Sequence, residues 1–302
     1  MSKNINWLTA TAVAVGLSMA GNAFATNGYF THGNGTKNKA MAGAGIALPE
    51  DSIDVTNNPA VAPFVGDQLI FGASVFSPIR KYSTTPSMVP DAAYQMGAFS
   101  VLPDGGTLKS KSNYHFIPHI AKSWQLDNGN AWALAFYGRG GMNTDWQGGN
   151  ARFDPDGPGP MPTMTPPGTY GDGLFDFDGQ SFGNGDAGVN LSQAFLDVTW
   201  AKKVNEKFSF GLSAVLVAQM FEADGVRPFS PYTETYAEGA INGSPVMPQN
   251  LSNNGTDWSY GAGLKIGIHM PFAPRWSFGA MYQSKISMSE FDDYADLFAE
   301  QG

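Results

Sequence analysis

Four histidines, a serine two residues after a glycine and two aspartate-rich tetrapeptides are the groups in this chain that could do chemistry. His115 and His119 share one face of an extended segment, but four residues of strand separate them by about 13 Å, too far to hold one metal ion together. His32 and His269 have no carboxylate at ligand-like spacing. Asp154-Pro155-Asp156-Gly157 and Asp176-Phe177-Asp178-Gly179 begin like calcium loops, yet neither has the third alternate ligand or the terminal glutamate. They leave only weak divalent binding. Gly28 and Gly33 have phosphate-loop spacing, but Asn34 stands where the loop needs lysine and no strand precedes them. Gly211-Leu212-Ser213 runs on into Ala214-Val215 without the second glycine of a nucleophile elbow. There is no cysteine, so thiolate ligands and disulfides are excluded. The expectation is no enzyme, no cofactor and no metal site.

The elements that carry His115, His119, Ser213 and His269 are strands. From Leu191 to Glu222 the residues alternate in character across two segments joined by a tight turn. Ala194, Leu196, Val198 and Trp200 fall on one face; Gln193, Phe195, Asp197 and Thr199 fall on the other. Phe208, Phe210, Leu212, Ala214, Leu216, Ala218 and Met220 then form an apolar file with no charge. That file is longer than the five or six residues of an average soluble strand and matches the roughly 9–11 residues of a transmembrane one. Trp200, Phe208 and Phe210 gather near the turn, where an interfacial aromatic girdle would lie. The fold class is therefore all-β, a transmembrane antiparallel β-barrel. Strands are expected near 67–77, 112–126, 131–142, 190–203, 208–223, 257–270 and 275–288, with short and long connections in alternation. Short turns lie in the periplasm and long loops outside. Seven strands is an odd number, and a closed bacterial barrel takes an even one, so the barrel over 67–302 is expected to be partial, a fragment truncated before closure.

Composition agrees, with 14% charged residues, 13% aromatic residues and 37 glycines among 302. A net charge of −9 argues against a nucleic-acid partner, and acids such as Asp154, Asp156, Asp172, Asp176, Asp178 and Asp186 sit in one expected loop. Lys3, the apolar run Trp7–Ala20 and the small-residue site Ala23-Phe24-Ala25 make residues 1–25 a cleaved signal peptide. Residues 26–66 are rich in Gly, Ala and Asn without alternation, and read as a compact segment ahead of the first strand.

That segment, from Thr26-Asn27-Gly28-Tyr29-Phe30 through Lys39–Ala60, resembles the N-terminal hatch of the FadL family, outer-membrane transporters of long-chain fatty acids and other hydrophobic compounds. The residues that carry the likeness are Tyr29, Phe30, Gly43, Gly45, Asp51, Asp54 and Asn58-Pro59-Ala60, and it continues through Gly279–Met288. The resemblance implies a barrel of roughly fourteen strands plugged by the hatch, about half of it present here. It also implies uptake of hydrophobic cargo in the Gram-negative outer membrane, a lipid and lipopolysaccharide surround, and a monomer when full length. Gly43 and Gly45 read as close-packing positions. Tyr29 and Phe30 are candidates for ligand contact, as are Phe195, Val215 and Val217, which alternation turns inward. The alternative is a general diffusion porin or a structural barrel, which would favour polar, charged rings at those inward positions. A lateral exit, as in FadL-type channels, is expected between the second and third strands. If Asp127–Asn130 sets the register, Pro118 lies across from Arg139, flanked by Gly138 and Gly140, so that ladder bonding weakens in both strands at one height.

Overall fold

The computed structural model describes residues 30–83, 100–101, 107–147, 153–154, 186–226, 230, 233–244 and 246–297. The expected signal peptide, Tyr29 and most of the acidic loop lie outside them. Seven long strands follow in order: β1 (Gln68–Phe76), β2 (His115–Gln125), β3 (Asn130–Trp146), β4 (Ala187–Asn205), β5 (Phe208–Asp224), β6 (Asp257–Ala273) and β7 (Trp276–Gln283). Each pairs antiparallel with the next, and a short β8 (Ser287–Met288) also pairs with β6. The sheet is open: among the described residues nothing closes β7 onto β1.

Alternation sorts the side chains as the sequence predicts. In β5, Ser209, Gly211, Ser213, Val215 and Val217 are buried, whereas Phe210, Leu212, Ala214 and Leu216 are exposed. The exposed file continues through Leu69 and Phe71 of β1, Trp132 and Leu134 of β3, Ile266 of β6 and Tyr282 of β7. A continuous apolar surface of this extent would be an aggregation hazard in water and is what lipid contact requires.

Two expectations about strands need correction. The seventh strand does not run unbroken to residue 288. It leaves the ladder at Ser284–Ile286, where the register shifts by one and Ile286 packs toward the core. The register of the β2–β3 hairpin is also one residue off. Asn128 and Gly129 take positive φ (62° and 74°), and Leu126 N donates to Asn130 O at 2.8 Å, so the turn closes on Leu126 and Asn130. The ladder then runs from Gln125↔Ala131 to His119↔Tyr137, which aligns Pro118 with Gly138 and not with Arg139.

Pieces that alternation does not reveal occupy the long connections. Lys81–Ser83 pairs with Thr107–Lys109, Ser100–Val101 pairs with Phe153–Asp154, and Glu234–Ile241 forms a helix, α3. Ahead of β1, a helical turn α1 (Thr36–Ala40), 3-10 turns at Ser52–Thr56 and Pro59–Val61, and a helical turn α2 (Ala62–Val65) lie against the buried face of the sheet. Their Ile53, Val55, Val61 and Ala62 meet Ala121, Ala133, Ala135, Phe195, Val215 and Val217 in one core.

Candidate functional site

The N-terminal segment is seated by polar contacts at each of its turns. At Ser52–Thr56 the Asp54 carboxylate accepts from Asp51 N (2.9 Å) and Glu50 N (2.8 Å), holding the turn's start. Burial raises its pKa to about 6; the two backbone donors oppose that rise, and the Asp51 and Glu50 charges add to it. Ser52 Oγ lies 2.7 Å from Ser123 Oγ of β2. At the next turn Asn58 Oδ1 accepts from Ala60 N at 3.0 Å, while Asn58 Nδ2 donates to Ile46 O and to Ile268 O of β6. Ser209 Oγ of β5 donates to Ala60 O at 2.7 Å.

Two glycines make this close approach possible. Gly211 and Gly267 face each other across β5 and β6. A Cβ on Gly211 would lie 2.5 Å from the Pro59 carbonyl carbon, and one on Gly267 would lie 2.1 Å from Asn58 Oδ1. The Asn58-Pro59-Ala60 turn therefore sits directly on wall backbone.

Beneath it is an ion pair that the sequence reading does not single out. Lys265 Nζ of β6 donates to Asp197 Oδ2 of β4 at 2.6 Å, with both side chains fully buried. Lys265 Nζ also donates to Thr56 O at 3.0 Å, and Tyr137 OH donates to Asp197 Oδ1 at 3.3 Å. The available signal is parity: Asp197 and Lys265 are charges in mid-strand at inward positions, which a buried face tolerates only in pairs. Which cation meets which anion depends on packing across β5.

The wall itself is interrupted at one height. Above His119↔Tyr137 the β2–β3 ladder stops at Pro118, which has no N–H to donate, and the β3–β4 ladder bulges between Gly138 and Gly140. A Cβ on Gly138 would come within 3.0 Å of Ile117 Cγ2. The N-terminal segment takes up backbone groups at this point. Thr31 N donates to Arg139 O at 3.0 Å, and Phe30 bridges to Gly140. The Arg139 guanidinium stands 5.3 Å from the Phe30 ring centre and 6.0 Å from that of Phe195.

A cavity of about 1320 Å³ opens here. Its lining draws on both faces of the sheet: Thr31 and Lys39 from the segment side, Phe136, Met220 and Trp258 from the exposed file. Its cationic side chains are Lys39, Arg80 and Arg139, and no carboxylate lines it among the described residues. Burial lowers the Lys39 pKa, and its ammonium donates to Ser74 Oγ at 2.7 Å.

The candidate ligand residues fall in different places. Phe30 is half-buried beside Arg139. Phe195, Val215 and Val217 are buried under the segment; Phe195 stacks on Tyr137 at 5.4 Å, and none of the three lines the cavity. Pro118, Gly138 and Gly140 all line it. Gly43 takes positive φ (83°), and a Cβ on Gly45 would lie 2.0 Å from Asn38 Nδ2. His119 is buried beside Gly72, His269 Nε2 lies 3.1 Å from Ala47 O, and His32 and His115 line the cavity.

An antiparallel sheet with an apolar outer face and an N-terminal segment seated on its inner face defines a class of barrel-wall protein. The chain is similar to the crystal structure of the P. putida toluene transporter TodX, with a TM-score of 0.56 and 17% identity over 86% of this chain and 57% of that one. It is likewise similar to a Pseudomonas aeruginosa FadL homologue, with a TM-score of 0.50 and 17% identity over 85% of this chain and 53% of that one. It has their fold and spans a little over half their length. No family model and no curated protein matches it.

Proposed function

We propose that this chain is the N-terminal portion of a FadL-type outer-membrane channel that takes up hydrophobic compounds and is no enzyme. Residues 1–25 are its signal peptide, 26–66 its plug and 67–302 part of its barrel wall. The protein is a monomer when complete and lies in the outer membrane among lipid and lipopolysaccharide. The apolar exposed file and the likeness in fold to the toluene transporter and the FadL homologue support this reading.

The observation that carries the route is the cavity at the break in the wall, with lining residues from both faces. Cargo enters from the long-loop side, displaces the Phe30–Thr31 stretch and leaves sideways between β2 and β3 into the lipid. A cavity whose charged lining is Lys39, Arg80 and Arg139 favours an apolar compound ending in a carboxylate, such as a long-chain fatty acid, over a neutral hydrocarbon.

The test is uptake of a labelled fatty acid beside an aromatic hydrocarbon, in cells lacking other transporters. The Pro118→Val, Gly138→Ala, Gly140→Ala variant should reach the surface normally and take up the fatty acid more slowly. Normal uptake by that variant, with a continuous β2–β3 ladder in its structure, would rule out the lateral route at this position. High ion conductance of the unaltered protein would instead point to a general porin.

A further inference from the structure

Across the exposed file of the seven long strands, the charged side chains divide by end. At the long-loop end they are Asp145, Glu222 and Asp224; at the short-turn end, on the strands themselves, they are Lys122 and Lys202. Lys122 is out of place by composition. Its cross-strand neighbours are Leu69 on β1 and Leu134 on β3, so it lies inside the apolar band. Among the described residues no hydrogen bond or carboxylate meets its ammonium, which sits 5.7 Å over the Trp124 ring, one step toward the strand end. Lys202 lies between Asn130 and Phe210 and has no anionic partner among the described residues either, whereas its neighbour Lys203 is paired with Glu206 at 2.6 Å. Between the two free cations runs a shelf of three tryptophans in register, Trp124↔Trp132↔Trp200, with Phe210 edge-on to Trp200 at 5.6 Å.

A lysine on the lipid face is disfavoured toward the midplane and tolerated at the interface, provided its head reaches polar surroundings. Two such heads without a protein anion, beside indole rings that settle at headgroup depth, are complementary to lipid phosphate. We infer that Lys122, Lys202 and the Trp124–Trp132–Trp200 shelf form a binding site for the headgroup of an anionic phospholipid, in the leaflet at the short-turn end of the wall. Lys122 and Lys202 flank the shelf on opposite sides, so an anionic headgroup seated on it meets an ammonium at each edge, and the acyl chains run up the apolar file over Leu134 and Leu212. Among the described residues the acidic long-loop end of the same face has no matching cationic pair, so the preference belongs to one leaflet. This rests on the reading of the sheet as a membrane wall.

The test uses the whole protein reconstituted in phosphatidylcholine vesicles, with quenching of tryptophan fluorescence by dibrominated lipids as the readout. Dibrominated phosphatidylglycerol should quench more strongly than its mole fraction predicts, and dibrominated phosphatidylcholine should not. Lys122→Gln and Lys202→Gln should each lower that preference about fivefold, the effect expected for one lysine near a charged surface. Lys122→Arg should keep it, and 1 M salt should weaken it as the Debye length shrinks to about 3 Å. Equal quenching by both lipids, or an undiminished preference in the double Gln variant, would overturn the inference. So would displacement of the phospholipid by lipid A, or competition by inorganic phosphate beyond that of sodium chloride at equal ionic strength. Heat-modifiable mobility and protease protection separate these outcomes from a failure of the membrane-wall reading: loss of insertion counts against the wall, insertion without lipid preference counts against the site.

Discussion

Lys265 and Asp197 lie 68 residues apart in sequence and on strands separated by a third, yet their side chains meet at 2.6 Å with no exposure to solvent. The pair does two things at once. It neutralises two charges inside the wall, and through Thr56 O it ties the N-terminal segment to β6. A buried pair contributes little net stability against apolar replacements, but losing one partner strands the other charge.

Lys265→Met should therefore cost about 3–5 kcal/mol and loosen the segment, whereas Lys265→Met with Asp197→Leu should recover most of that loss. The measurement is the heat-modification midpoint together with ion conductance. A single variant as stable as the double one would remove the ion pair from this account.

The seat for Asn58-Pro59-Ala60 depends on the missing side chains of Gly211 and Gly267. Valine at Gly211 meets segment backbone, and at Gly267 it meets the Asn58 side-chain oxygen, whose amide is held by three hydrogen bonds. Gly211→Val or Gly267→Val should unseat the turn and raise conductance while leaving the strand content seen by circular dichroism intact. Unchanged conductance in both would mean that the turn does not plug the path.

Asp54 makes the seating depend on pH. Its folded pKa, about 6, stands above the ordinary 3.8, so the folded segment holds this proton more tightly than the unfolded one does. The associated stability is fully present below about pH 4 and falls by roughly 1.4 kcal/mol per pH unit as pH rises toward 6, beyond which it is lost. Protease nicking of residues 46–57 should be slower at pH 5 than at pH 7. Because one carboxylate oxygen accepts both backbone bonds, Asp54→Asn should keep the turn and flatten this dependence.

Removing residues 27–45 takes away the stretch that covers the break, including Thr31 and Lys39, but leaves the turns at 52–65 that supply Ile53, Val55 and Val61 to the core. The shortened protein should insert normally, leak small solutes and lose selective uptake. Selective uptake that persists without added leak would end the stopper role of this stretch.

Period-two alternation is local, so each strand's existence, its two faces and the outward, exposed placement of Phe210, Leu212 and Leu216 are legible from the chain alone. The Asn58-Pro59-Ala60 motif is singled out by the family resemblance, and its turn has a local cause in the structure, where the Asn58 side chain caps Ala60 N and Pro59 takes the first helical position. Register is less legible: a three-residue turn with Asn128 and Gly129 at positive φ, in place of a four-residue one, moved Pro118 from Arg139 to Gly138. Beyond that, the three-dimensional arrangement decided. Phe195, Val215 and Val217 turn inward as alternation requires, but inward meant beneath the segment and away from the cavity, because Ile53 and Val61 fill that space first. The meeting of Lys265 with Asp197, and of Thr31 with Arg139 at the end of the β2–β3 ladder, joins residues far apart in sequence. No periodicity encodes such contacts; they exist because the paired strands bring distant positions to the same height on the wall.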